Sequence, residues 1–197
     1  PLPLSRSLPL AALPFFPSPA SPLSCATSVA LLARPRAATA SLSAGVSLTS
    51  LALPENDIGS YRTFFKLDPP LRAETDRQAV IEGLKSGVID TIHSDHDPQD
   101  TEVKRQPFAE AANGAIGLET LLAAALRLHH SGDVPLMTLL AAMTSRPAEI
   151  LGIEAGRVAK GAPADLILVD LEHPWVLDEQ AIRSRARNSA FEGARFT

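Results

Sequence analysis

Eight consecutive residues, His93-Ser94-Asp95-His96-Asp97-Pro98-Gln99-Asp100, hold three carboxylates and two imidazoles. Oxygen and nitrogen donors at that density can bind a metal ion, and a carboxylate beside a metal-bound water can also move protons. A plain polar turn uses the same residue types, with Asp and Pro serving only the backbone, so both readings stand at this level. Other candidates are weaker. His129-His130 closes a helical pattern, where imidazolium favours the helix dipole. Trp175 and Phe191 read as packing residues, and Arg183, Arg185 and Arg187 alternate with other residues as a solvated edge.

The elements around the cluster decide what it can do. Val88–His93 is an apolar run too short for a helix and bounded by Gly87 and Asp95, so it reads as a buried strand. Before it, Ala73–Gly87 carries Ala79, Ile81 and Leu84 at helical spacing after Pro69-Pro70. Helix, strand and polar loop in that order predict a βα unit with a parallel sheet, and place the cluster just beyond a strand's carboxyl end. Gly45–Leu53 reads as a strand and its exit, and Asn56–Leu67 as a polar loop bearing aromatics. Helices are expected over Gly117–His130, Leu136–Met143 and Pro147–Leu151, the last ending at Gly152. Ala164–Asp170 reads as a strand and Pro174–Leu177 as an extended piece. No internal repeat is visible.

Composition divides the chain. Of 197 residues with net charge −4, the first 54 have no Asp or Glu and carry +3, so residues 55–197 carry −7. Eight prolines within residues 1–42 argue against any packed fold there, and they interrupt both a membrane span and a secretory signal. An organelle transit peptide or a functionless leader fits that composition. The expected organisation is a disordered leader over residues 1–43, a globular α/β portion over 44–155 and a further segment over 156–197. Cys25 is the single cysteine and cannot form an internal bridge, which favours a cytoplasmic protein. The modest negative charge speaks against nucleic acid as a partner.

Several motifs together resemble dihydroorotase, of the amidohydrolase superfamily. They are Asn56-Asp57-Ile58, Tyr61-Arg62-Thr63, Phe65-Lys66-Leu67-Asp68-Pro69-Pro70-Leu71-Arg72, Ser94-Asp95-His96-Asp97-Pro98, Gly117-Leu118-Glu119-Thr120, Pro147-Ala148-Glu149-Ile150-Leu151-Gly152 and Gly161-Ala162-Pro163-Ala164-Asp165-Leu166. Their order and spacing carry the resemblance, over about Ala44 to Thr197. It implies the C-terminal portion of a (β/α)8 TIM-like barrel with a small β-rich appendage. It also implies a zinc-dependent hydrolase of pyrimidine biosynthesis that interconverts dihydroorotate and N-carbamoyl-L-aspartate. Asp95 matches the family's Asp that binds metal and shuttles the proton. Asp68 stands where the family has a substrate-contacting Asn, Gln99 where it has a substrate-gripping His, and Asn113-Gly114 on a turn whose backbone contacts substrate.

The departures from the pattern are equally specific. The family's early His-x-His pair, substrate-gripping Arg and bridging ligand have no match in Pro1–Leu42. Thr49 and Ser50 occupy positions aligned with a metal-binding His, and hydroxyls replace imidazole poorly at zinc. Asp68 would tend to repel an anionic substrate unless protonated or paired. Two readings follow. One is a truncated or misassembled enzyme, inactive and unstable alone because half a barrel leaves strand edges unpaired. The other is a non-catalytic structural partner of aspartate transcarbamoylase. A homodimer is the remaining assembly expected, with no membrane partner.

Overall fold

The structure, a computed structural model, describes residues 18–33 and 42–197. A parallel sheet positions the site, in the order β1-β2-β3. Strand β2 (Leu42–Ser47) lies between β1 (Ser18–Leu23) and β3 (Thr91–His93), pairing Ser18 with Leu42, Leu23 with Val46, and Ser47 with His93. Being central, β2 is buried along almost its whole length, as parallel strands covered on both faces are. Asp90 locks the start of β3 to it: its carboxylate accepts the Ala44 N–H at 2.8 Å, and its own N–H donates to the Ala44 carbonyl at 2.8 Å.

Helix α1 (Ala26–Ala33) follows β1, and the short helix α2 (Leu48–Ala52) follows β2. Helix α3 (Glu74–Lys85) turns Val80, Ile81, Gly83 and Leu84 inward, keeping Ile81 and Leu84 of the expected face while Val80 and Gly83 take the place of half-buried Ala79. Gly83 lets α1 approach closely, since a Cβ there would come within 2.9 Å of Val29 Cγ1. The Ala26 N–H donates to Asp76 Oδ1 at 2.8 Å, a second tie between α1 and α3.

These contacts correct the expectation of an unpacked leader. Pro19 and Pro22 lie in β1, a strand with a described partner on one side only, where a missing N–H does not interrupt a central ladder. Leu23 and Leu32 are buried in the main core. The same expectation for residues 1–17 and 34–41 falls outside the described residues.

The later helices keep close to the pattern. They are α4 (Thr101–Lys104), α5 (Leu121–His130), α6 (Leu136–Met143) and α7 (Ser145–Leu151), the last stopped by Gly152 in the left-handed conformation. Helix α4 is an addition just beyond the polar loop, in a stretch for which the sequence predicts no element, and α5 starts four residues later than expected.

The strand expected over Ala164–Asp170 does not form. Leu166, Ile167 and Leu168 are 67, 82 and 102% exposed, and no described strand lies beside them to supply a ladder. In the C-terminal segment, β4 (Trp175–Val176) and β5 (Arg195–Phe196) form a two-residue antiparallel ladder. Leu177, Ile182, Phe191 and Phe196 fold back into the core, so part of the appendage packs as loop on the α/β body.

Candidate functional site

The parallel register brings three strand ends together: Ser24 and Cys25 after β1, Thr49 and Ser50 just after Ser47 closes β2, and Ser94 to His96 after β3. Asp95 has φ of +50°, a conformation uncommon for residues other than Gly, Asn and Asp, and strain of this kind gathers at functional sites. Its Oδ1 lies 4.0 Å from His93 Nδ1. Burial holds the His93 imidazole below its ordinary pKa, with the Asp95 charge acting in the opposite direction.

His96 has a different task. Its Nδ1 accepts the N–H groups of Gly117 at 3.1 Å and Leu118 at 3.4 Å, so this nitrogen anchors the following turn. That accounts for Gly117-Leu118-Glu119-Thr120 in physical terms. A Cβ at Gly117 would sit 2.1 Å from the Ser94 carbonyl oxygen. The Glu119 carboxylate accepts the Arg183 and Ser184 N–H groups, both at 2.9 Å, and these bonds lower its pKa. Thr120 Oγ1 donates to the Gly117 carbonyl.

Asp97 and Gly114 are equally matched. The Asp97 N–H donates to the Ala115 carbonyl at 2.9 Å, while its Oδ2 fills the space a Cβ at Gly114 would need, 2.1 Å away. With φ at +106°, Gly114 is required by conformation as well as by room. Its N–H donates to the Lys66 carbonyl at 2.9 Å, so the turn runs beside the segment leading to exposed Asp68. Asn113 is exposed at the tip. Gln99 donates from Nε2 to Asp97 Oδ1 at 2.8 Å, so its amide is turned back on the loop.

Two buried polar residues were not legible in the sequence. Lys104, 2% exposed, donates from Nζ to the carbonyls of Thr63, Lys66 and Ala112, and burial pulls its pKa down to about 8. Asn188, also 2% exposed, bonds the backbone of Asp97, Gln99 and Gly114. Both look unremarkable in sequence, because every partner except Ala112 is dozens of residues away.

The described residues do not fit a self-contained zinc centre. No group of three or more His, Cys, Asp or Glu side chains comes together among them. Where a metal-binding His would align, Thr49 Oγ1 bonds Ser47 Oγ at 2.8 Å, and the buried Ser50 Oγ has no hydrogen-bond partner.

Carboxylate and imidazole groups at the carboxyl ends of parallel strands are the arrangement of an α/β enzyme site. The Amidohydrolase family model matches residues 27–195, and the chain belongs to that family. The match begins inside α1, ahead of the Ala44 at which the resemblance was expected to start. Among curated relatives, the dihydroorotase of Ehrlichia chaffeensis is 48% identical over 139 residues, 71% of this chain and 31% of the relative. That of Ehrlichia canis is 45% identical over 141 residues, 72% of this chain and 32% of the relative. The L-hydantoinase (dihydropyrimidinase) of Arthrobacter aurescens superposes with a TM-score of 0.93 at 27% identity, covering 98% of this chain and 44% of that one. The chain thus spans about a third of the length of its curated relatives. Among the described residues, no helix is long and apolar enough to cross a membrane.

Proposed function

We propose that this chain carries part of a dihydroorotase-type active site, for hydrolysis of a cyclic amide of the dihydroorotate class. The carrying observation is Asp95, in left-handed backbone at the end of β3, inside a motif set shared in order with dihydroorotases. Identity of 48% to a dihydroorotase against 27% to a hydantoinase favours this substrate over hydantoins or dihydropyrimidines.

Amide hydrolysis needs a group that takes a proton from attacking water and delivers it to the departing nitrogen. The carboxylate of Asp95 suits both steps. Asn113, exposed at the tip of its turn, suits contact with a planar ring amide, while Gly114 spends its N–H on Lys66 and its carbonyl on Asn188. Asp68 and Gln99 are the least favourable members: one adds negative charge, and the other spends its amide on Asp97. Zinc, which the family resemblance implies, needs ligands beyond those the described residues bring together.

A second reading rests on Thr49 and Ser50. Hydroxyls at the metal position suit a non-catalytic dihydroorotase-like partner of aspartate transcarbamoylase. An assay of dihydroorotate hydrolysis by the purified chain with added zinc separates the two. Turnover that disappears in Asp95→Asn supports the enzyme, and Asn tolerates the left-handed backbone, so stability should stay within about 0.5 kcal/mol. Equal turnover in both proteins would remove Asp95 from its role. No turnover, with co-purification of aspartate transcarbamoylase, supports the partner reading.

A further inference from the structure

Asn188 lies in the C-terminal segment, 74 to 91 residues from the groups that its side chain touches. A carboxamide offers two N–H donors and one carbonyl acceptor, and all three features are used. Nδ2 donates to the Asp97 carbonyl at 3.1 Å and to the Gly114 carbonyl at 3.2 Å, and Oδ1 accepts the Gln99 N–H at 3.2 Å. The residue's own carbonyl accepts the Ile116 N–H at 3.1 Å. Asn188 is 2% exposed, its bond to Gly114 is buried and those to Asp97 and Gln99 are partly so, and Ser189, Ala190 and Phe191 beside it are buried too, so the bracket is anchored on the core. No other type of side chain of this length supplies two donors and one acceptor in that geometry.

We infer that Asn188 is a positioning residue: its carboxamide fixes the Asp97–Gln99 backbone against the Gly114–Ile116 turn, setting the spacing of the two segments that face the substrate. The inference rests on the proposed function for the word substrate, and on geometry alone for the bracket. Asp97 then presents its carboxylate beneath Gly114, and Asn113 is held at the tip. Asn188→Asp keeps the acceptor, removes both donors, and sets a carboxylate oxygen against two carbonyls. Asn188→Ala removes all three bonds without adding charge.

The test uses the 197-residue chain and these two variants. Amide hydrogen exchange is followed at Asp97, Gln99 and Ile116, with Val80–Leu84 in α3 as the reference for the fold as a whole. Calorimetric titration with N-carbamoyl-L-aspartate is run in parallel. Both variants should accelerate exchange at the three loop amides about tenfold or more, leave Val80–Leu84 unchanged, and weaken ligand affinity about tenfold. Loop amides that exchange as in the unsubstituted chain, that accelerate only together with Val80–Leu84, or that lack protection from the outset would overturn the bracket. Normal affinity in both variants would overturn its role toward substrate while leaving the function standing. Failure of the unsubstituted chain to bind the ligand, with local acceleration intact in the variants, would sink the functional reading and leave the bracket.

Discussion

The ammonium of Lys104 donates to the Ala112 carbonyl at 2.8 Å, joining α4 to the turn that ends at Gly114. The same Nζ reaches the Thr63 and Lys66 carbonyls at 3.0 and 3.4 Å. Two backbone segments around the candidate site, the Thr63 to Lys66 turn and the turn at Ala112, therefore meet on one buried cation of α4, which has no carboxylate among those partners. Burial is the first cause of its depressed pKa, partly opposed by the charge of Asp97.

Lys104 should give the protein an unusual alkaline stability profile. Its folded pKa, about 8, lies below the ordinary 10.5, so between those values the unfolded chain binds more protons than the folded one. Stability contributed by this group therefore rises with pH across that window, by up to about 3 kcal/mol as an order of magnitude. Lys104→Met should flatten the rise, and at pH 7 should lose about 1–3 kcal/mol as three carbonyls lose their donor. Urea melts of both proteins at pH 7 and 9.5 measure this, and parallel profiles would contradict it.

Two glycines should respond differently to the same added methyl. Gly87 has φ of +76° with nothing within 4 Å of a built Cβ, so Gly87→Ala pays only backbone strain, about 1 kcal/mol. Gly117 would set its Cβ 2.1 Å from the backbone oxygen of Ser94, which cannot rotate away. Gly117→Ala should cost about 3 kcal/mol or more and break the His96 Nδ1 bond to the Gly117 N–H. The comparison is read from thermal melts and from the His96 imidazole nitrogen shifts. Equal losses in the two variants would show that the turn can yield.

These glycines show where the sequence was readable. Helix α6 coincides with its expected range because Pro135 and the apolar spacing act locally. The polar loop after β3 was legible for the same reason, since an apolar run and a cluster of Asp and His adjoin in the chain. Strand β1 was not, because prolines argue against a strand until one knows which side of the sheet it occupies. Lys104 and Asn188 were illegible because their importance comes from distant carbonyls. Ala164–Asp170 misled through composition: its apolar run between Asp165 and Asp170 suits a strand, yet no described strand pairs with it.

Acid should expose the pairing at the start of α3. Glu74 accepts from Arg77 Nη2 and Nε and from Gln78, and these bonds draw its pKa from 4.5 to about 2, the Arg77 bond first. A depressed carboxyl stabilises the fold above its unfolded pKa, and that contribution is lost as pH falls from about 4.5 toward 2. The Glu74 side chain is half exposed, so solvent screening keeps the effect below about 1 kcal/mol. Glu74→Gln should show a flatter stability profile over that range. It should also loosen Arg77, whose Nη1 donates to the Leu51 carbonyl at 2.9 Å and ties α3 to α2. A chemical-denaturation series from pH 5 to 2.5 tests the slope, and an unchanged slope would remove Glu74 as its source.

The region read as leader supplies the last test, because packing there separates a structural segment from an appended tail. Leu32 is fully buried in α1, and Val29 of the same helix faces Gly83 in α3. If this contact contributes to the fold, Leu32→Ala should cost about 2–5 kcal/mol, the transfer free energy of the lost methyl groups plus the cavity they leave. Gly83→Ala should act on the same interface from the opposite side, by crowding Val29 Cγ1 at 2.9 Å and Ile89 Cδ1 at 3.2 Å. Because the two sites adjoin, the double variant should lose less than the sum of the single losses, the space vacated at Leu32 giving Val29 room to yield. Strict additivity in denaturant melts would separate Leu32 from that interface, and a neutral Leu32→Ala would return α1 to the status of an unpacked leader.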